Sequence, residues 1–299
     1  MEQFDNWLGK AWDDHVNDAA AVTARLDEGR QLAGDQQQLK SLANLAHHLY
    51  GEHLGDWNAG VDWLLALADH PGFTSHDEAR AALGVYLASL ALSGGHDDGA
   101  QPLLPGDRVR ATALAAGNLA TRDTPRAQLL FKQALHEAEA SSLPHDGAHV
   151  RSLAVASNNM ACTLEEKTLL SSDERDLMVT AAQAARRYWA LAGGWLETGR
   201  AEYRLAKSFL KAGDAELARR HAQLCLEIVQ TNAAPPLEHF FGWEALGLAE
   251  RAAGSLSGLE RALVQANQAF QALDEEDRAW CRESLDRLTA LKPDYTAAP

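Results

Sequence analysis

The sequence predicts an all-α protein built from successive helical hairpins. Three observations support this. Apolar residues recur at helical spacing through almost the whole chain of 299 residues, and no stretch alternates apolar and polar long enough for a sheet strand. Ala, Leu, Glu, Gln and Arg are abundant and β-branched residues sparse, a composition that favours helix. Turn signals interrupt the periodicity every fifteen to twenty-five residues, and several pair a glycine that can stop a helix with an Asp, Ser or Thr that can start one.

The breaks, in order, are "GRQLAGD" (29–35), "HLGDW" (53–57), "DHPGFTSHDE" (69–78), "SGGHDDGAQPLLPGD" (93–107), "RDTP" (122–125), "SSLPHDG" (141–147), "LSSDE" (170–174), "AGGW" (192–195), "AGD" (212–214), "NAAPP" (232–236) and "AGSLSG" (253–258). About a dozen helices lie between them. Gaps this short make neighbours antiparallel. The 93–107 gap is the longest and the richest in Gly and Pro, which marks it as a mobile loop or a joint.

The formal net charge is −15 with Lys+Arg 27 against Asp+Glu 42, which argues against nucleic acid and anionic lipid as partners. Cys162, Cys225 and Cys281 are far apart and form no CxxC, so reduced thiols are expected. The N-terminal "MEQFDNWLGKAWDD" lacks the apolar run of a signal peptide. The longest apolar stretch, "LGVYLASLAL" (83–92), is too short to span a bilayer. A soluble cytoplasmic chain is the expectation.

The segment "EYRLAKSFLKAGDAELARRHAQLCLEI" (202–228) shows how a hairpin is specified. Small residues (Ala206, Gly213, Ala218, Ala222) sit where two helices must approach, and Leu205 and Phe209 fill the gaps. The same spacing recurs in 113–135 with Leu114, Ala115, Ala127, Phe131 and Ala134. It recurs in 44–71 with Leu45, Ala46, Leu49, Ala59, Trp63, Ala66 and Pro71. In 243–250 it appears as Trp243, Leu246 and Gly247, and in 158–166 as the start of a further unit. This pattern resembles the tetratricopeptide repeat. About five units cover most of residues 36–275.

That resemblance implies a right-handed α-solenoid of antiparallel helix pairs with helical caps at both ends. Residues 1–34 would form the N-terminal cap, 35–274 the array with a joint at 93–107, and 275–299 a capping helix and the loose tail "PDYTAAP". One hairpin cannot bury its apolar face alone, so neighbours must stack. The first helix of each pair would then line a concave groove. The implied function is a non-catalytic adaptor that holds a protein or peptide segment there. A signal-sensing regulator that binds a small peptide or metabolite, with 93–107 as its hinge, is the alternative, and a helical metal-dependent enzyme is a third.

The groove positions of the 200–228 unit are Arg200, Arg204, Lys207 and Lys211, one helical stripe of positive charge with Tyr203 beside it. The preceding unit offers Asn158 and Asn159. Tetratricopeptide co-chaperones hold a peptide's free carboxylate with such groups, and Asn159, Arg200 and Arg204 resemble that clamp. Thr112 and Ala116 stand where it would have a Lys and an Asn, so the clamp is partial. A partner with an acidic or free-carboxylate end is implied, by bidentate Arg recognition. The opposing reading pairs these cations with the chain's own acidic residues. Lys40, Asn44, His47 and Tyr50 form a second stripe on one helix face.

Apparent catalytic motifs are set aside. "DDHVND" (13–18) places Asp14 and Asp18 one turn apart without a second metal motif. "HHLYGEH" (47–53) and "HDGAH" (145–149) supply histidines without an HExxH. No nucleophile order, phosphate loop or nucleotide fingerprint is present. No metal or cofactor is expected. Trp63, Trp189, Trp195, Trp243 and Trp280 fall on apolar stripes and are read as packing residues.

Overall fold

The computed structural model describes residues 2–73, 78–140 and 143–291. The tail at 293–299 and parts of the breaks at 69–78 and 141–147 lie outside the described residues. Those that are described form helices and turns and no strand. They divide into two units, Met1–Ser152 and Leu153–Pro299. The division falls inside a helix, and the 93–107 segment lies within the first unit.

The first unit runs α1 (Glu2–Asp14), α2 (Ala19–Thr23), α3 (Leu26–Leu32), α4 (Gln36–His48), a π-helical turn (Leu49–Leu54), α5 (Trp57–Ala68), α6 (Glu78–Ser93), α7 (Pro105–Leu119) and α8 (Thr124–Ala140), then enters α9 (Ala148–Glu166). Its core gathers Phe4, Leu26, Leu39, Leu42, Leu45, Leu49, Leu64 and Leu67, all fully or almost fully buried. The 94–104 connection is tied down by Arg126, whose guanidinium donates to the Leu92 carbonyl at 2.7 Å and to Asp97 at 2.8 Å. The second unit continues α9 and adds α10 (Ser172–Ala192), α11 (Trp195–Ala212), α12 (Ala215–Thr231), α13 (Pro236–Ala252), α14 (Leu256–Gln271) and α15 (Glu275–Ala290).

Local rules place the breaks. In "AGD", Gly213 takes φ 88°, which only glycine adopts cheaply, and Asp214 donates its N–H back to the Phe209 carbonyl at 2.9 Å. The Asp214 carboxylate then accepts from Leu217 N at 3.0 Å and starts α12. In "AGSLSG", Gly254 has φ 78° and Ser255 caps α14 through Gly258 N at 3.2 Å. Asp35, Asp56 and Asp274 cap α4, α5 and α15 in the same way. Ser171 and Glu174 form a reciprocal capping box at α10.

Packing in the second unit is that of an α-solenoid. Each helix from α10 to α14 packs on the next, α11 also touches α13, and α13 touches α15. First helices of successive pairs therefore meet as well as the two helices within a pair. Ala206, Ala222 and Ala245 are fully buried where α11, α12 and α13 converge. Their methyl groups let three backbones approach, as the small-residue positions of 202–228 require. At the far end Phe240 and Phe270 are fully buried among Leu259, Leu285 and Leu288, each large side chain contributing roughly 1.5–3 kcal/mol by leaving water. Ala127, Phe131 and Ala134 of the 113–135 hairpin are likewise fully buried.

Candidate functional site

The second unit holds a cavity of about 550 Å³ between α9, α10, α11, α13 and α15. Its lining includes Asn158, Trp189, Glu197, Arg200, Tyr203, Arg204, Cys225, Leu237, Glu238, Phe241 and Trp280. Of the residues expected in the groove, Asn158, Arg200, Tyr203 and Arg204 come together here. Asn159 is exposed beside it and accepts a hydrogen bond from Asn158 Nδ2 at 3.4 Å, while Lys207 and Lys211 lie farther along α11.

Carboxylates meet the basic stripe. Arg200 grips Glu238 through Nε (3.0 and 3.2 Å) and Nη2 (2.5 Å). Arg204 pairs with Glu165, which also accepts from Ser208 Oγ. Lys207 Nζ lies 3.2 Å from Glu244, whose other oxygen accepts from Tyr203 Oη at 3.3 Å. Lys211 donates to the Lys167 carbonyl. These acids come from α9 and α13, the helices on either side of α11, so the stripe laces the unit together. "PLEHFFGWEALGLAE" carried a signal for them: Glu238, Glu244 and Glu250 sit in an apolar run, where a buried charge needs a distant partner.

Burial and charge set the protonation of the lining. Burial, reinforced by the Glu244 carboxylate, holds the Tyr203 hydroxyl well above its ordinary pKa. Burial lifts the Glu165 carboxyl above the usual carboxylate range although Arg204 pulls the other way. Burial, with Glu238 nearby, pushes the Cys225 thiol up to about 12. A neutral phenol, a silent thiol and compensated charges make a wall suited to binding.

The aromatic lining departs from the sequence reading. Trp280 is 66% exposed and Trp195 38% exposed, so neither is a packing residue. Trp280 lies edge-on to Phe241 at 5.2 Å, and Phe241 edge-on to Tyr203 at 5.6 Å. The three rings form a continuous apolar strip beside Arg200. Helical phase alone did not place Trp280, because phase gives the face of α15 but not which neighbour meets it.

The second stripe does not share one open face. His47 is buried, 2% exposed, and faces Ser89 Oγ at 2.9 Å. Lys40 pairs with Glu78 at 2.5 Å, and Asn44 accepts from Tyr86 Oη at 3.1 Å. Beyond His48 the α-helix gives way to a π turn, which shifts the phase of Tyr50. Asp14 pairs with Arg25 at 3.5 Å and Asp18 caps α2, so "DDHVND" does not gather a metal between its acids.

No family model matches the chain. A stretch of 61 residues is 43% identical to a protein of Pseudomonas aeruginosa described as TPR repeat-containing. The stretch is 20% of this chain and 51% of that relative, so the chain spans about half the relative's length. The chain resembles tetratricopeptide-repeat proteins. The tetratricopeptide-like character fits the helix pairs and alanine seams of the second unit. No helix among the described residues is long and apolar enough to cross a membrane.

Proposed function

We propose that this tetratricopeptide-like chain is a non-catalytic scaffold that holds a segment of a protein partner in the cavity bounded by α9, α11, α13 and α15. The observation that carries this reading is an aromatic strip, exposed at Trp280 and half-buried at Phe241 and Tyr203, alongside Arg200. Exposed tryptophan and arginine at the rim of a cavity are typical anchors of binding energy. Arg200 is 58% exposed, and its Nη1 is not part of the Glu238 fork, so it can meet a partner's carboxylate. Arg204, Lys207 and Lys211 are already engaged within the chain, and the partner's main grip is therefore aromatic, with Asn158 and Asn159 offering amide contacts at the edge. Residues 1–34 and 275–291 act as caps in this reading. With a net charge of −15, neither nucleic acid nor an anionic membrane is the partner.

The cavity's size also fits a small peptide or metabolite, since ligand sites span roughly 300–1,000 Å³. One experiment separates the two. Segments captured from the source lysate are identified by mass spectrometry, synthesised and titrated against wild type and Trp280→Ala. The scaffold reading expects at least about tenfold weaker binding in the variant with the melting temperature unchanged, because the residue is mostly exposed. Equal affinity in both proteins overturns the cavity assignment. A small molecule that alone alters the solution scattering profile favours the sensor.

A further inference from the structure

Three histidines that the cavity does not use converge in the first unit. His15 follows α1, His48 ends α4, and His53 lies in the π turn that continues α4. His48 Nε2 is 3.2 Å from His15 Nε2 and 3.0 Å from His53 Nε2, and the three rings contribute nitrogens that all lie within 4.8 Å of one another. Two nitrogens bound to one tetrahedral zinc ion at 2.0–2.1 Å stand about 3.3 Å apart.

The outer ring atoms fix where the protons are. His15 Nδ1 lies on the Trp12 carbonyl, and His48 Nδ1 lies 3.2 Å from Glu52 Oε1. Both partners only accept, so each Nδ1 is the donor. In the neutral rings this leaves both Nε2 atoms as bare lone pairs facing each other at 3.2 Å. Two lone pairs at that separation repel unless a proton or a metal ion lies between them. A carbonyl or carboxylate on the far nitrogen is also what orients a metal-binding imidazole.

The backbone is shaped for the convergence. In an α-helix, residue i+5 points about 140° away from residue i. The i→i+5 bonding of the π turn instead sets His53 over His48, with Glu52 in reach as well. The turn is held from α7 and the turn after it: a Cβ on Gly51 would come 2.5 Å from the Asn118 side chain, and Arg122 donates to the Glu52 and His53 carbonyls at 2.8 and 2.7 Å. Gly55, at φ 67°, closes it.

We propose that His15, His48 and His53 bind one divalent transition-metal ion, zinc foremost, through three imidazole nitrogens. All-imidazole donors suit zinc, cobalt, nickel and copper and disfavour magnesium and calcium. His53 is exposed, so the fourth position opens to solvent and takes water. The ion ties the end of α1 to the π turn.

Tag-free full-length protein is stripped with chelator and titrated with Zn²⁺ by calorimetry and with Co²⁺ by visible absorption. One equivalent of each is expected, with the intense Co²⁺ bands of a four- or five-coordinate site. His53→Ala and His15→Ala weaken binding at least about tenfold, and Glu52→Gln about 10–100-fold. His53 is exposed, so its variant keeps the wild-type metal-free melting curve and separates lost ligation from lost folding. Wild type that takes up less than about a tenth of an equivalent, or that binds no more tightly than both histidine variants, overturns the site.

Discussion

Glu238 on α13 receives a two-pronged grip from Arg200 on α11, its two oxygens 3.0 and 3.2 Å from the same Nε. The arginine is 58% exposed and the carboxylate 8%. The acid is the buried partner, and the cation covers it from the solvent side. Arg204–Glu165 and Lys207–Glu244 repeat the arrangement toward α9 and α13. A row of positive residues on one helix therefore holds its neighbours before it can hold a ligand.

Removing the cation leaves Glu238 poorly solvated and unpaired. Arg200→Gln should lower unfolding free energy by about 1–2 kcal/mol, at the low end for a charge pair because solvent screens the exposed arginine. Arg200→Glu sets two carboxylates together and should cost more. Urea unfolding of both variants, with Glu238→Gln completing a double-mutant cycle, measures the coupling. An unchanged midpoint in Arg200→Glu would show that the fork is absent in solution.

Seam geometry gives a second expectation. A Cβ on Gly242 would sit 2.7 Å from Leu226 Cδ2 and 3.1 Å from its Cγ, so the branch point of a buried leucine would have to move. Gly242→Val should destabilise by about 2 kcal/mol or more, overpacking outweighing the few tenths of a kcal/mol that valine gains over glycine in a helix. Ala222→Leu, at a fully buried contact of three helices, should behave alike. Thermal melts at or above wild type in both would mean that the helices have room to part.

The fold was legible in the sequence because its determinants are local. Gly213 and Asp214 are adjacent, and one stops a helix while the other starts the next whatever lies around them. The stripe Arg200, Arg204, Lys207 and Lys211 was legible as a stripe, since helical phase needs no tertiary knowledge. Its partners were not, because Glu238 and Glu165 lie 38 and 39 residues away, on helices whose rotation the pattern leaves open. His15 and His48 are 33 residues apart, and His53 joins them only through a π turn that no spacing rule anticipates. Trp280 reads as core by phase and is 66% exposed, because phase names a face of α15 without naming what packs against it.

The thiols give a third expectation. Burial pushes Cys225 up to about 12 and Cys281 up to about 11, and lifts Cys162 above its ordinary value against the pull of Arg204. The thiolate is the reactive form, so all three should be nearly silent to a disulfide reagent at pH 8 in the native protein. The three thiols should react at once in denaturant. Rapid stoichiometric labelling of folded protein would show that the second unit opens on the timescale of the assay.

Glu202, on α11, gives a pH dependence. It is 4% exposed and takes hydrogen bonds from Arg186 Nε at 2.5 Å and His221 Nδ1 at 2.7 Å, which tie α10 and α12 to α11. Burial alone would raise its pKa, but the bonds from His221 and Arg186 outweigh burial and hold the folded value below 4.5. As pH falls through 4.5 the unfolded chain takes up a proton that the folded chain still refuses. The unfolded state then binds more protons, so the contribution present above pH 4.5 fades as pH drops through the folded value. Glu202→Gln should cost about 1–3 kcal/mol at neutral pH by leaving its donors poorly matched. The gap between wild type and variant should narrow as pH falls below 4.5, when urea midpoints are compared at a series of acid pH values. A gap that stays constant with pH would mean that Glu202 keeps its ordinary pKa in the fold, and that packing alone accounts for the loss.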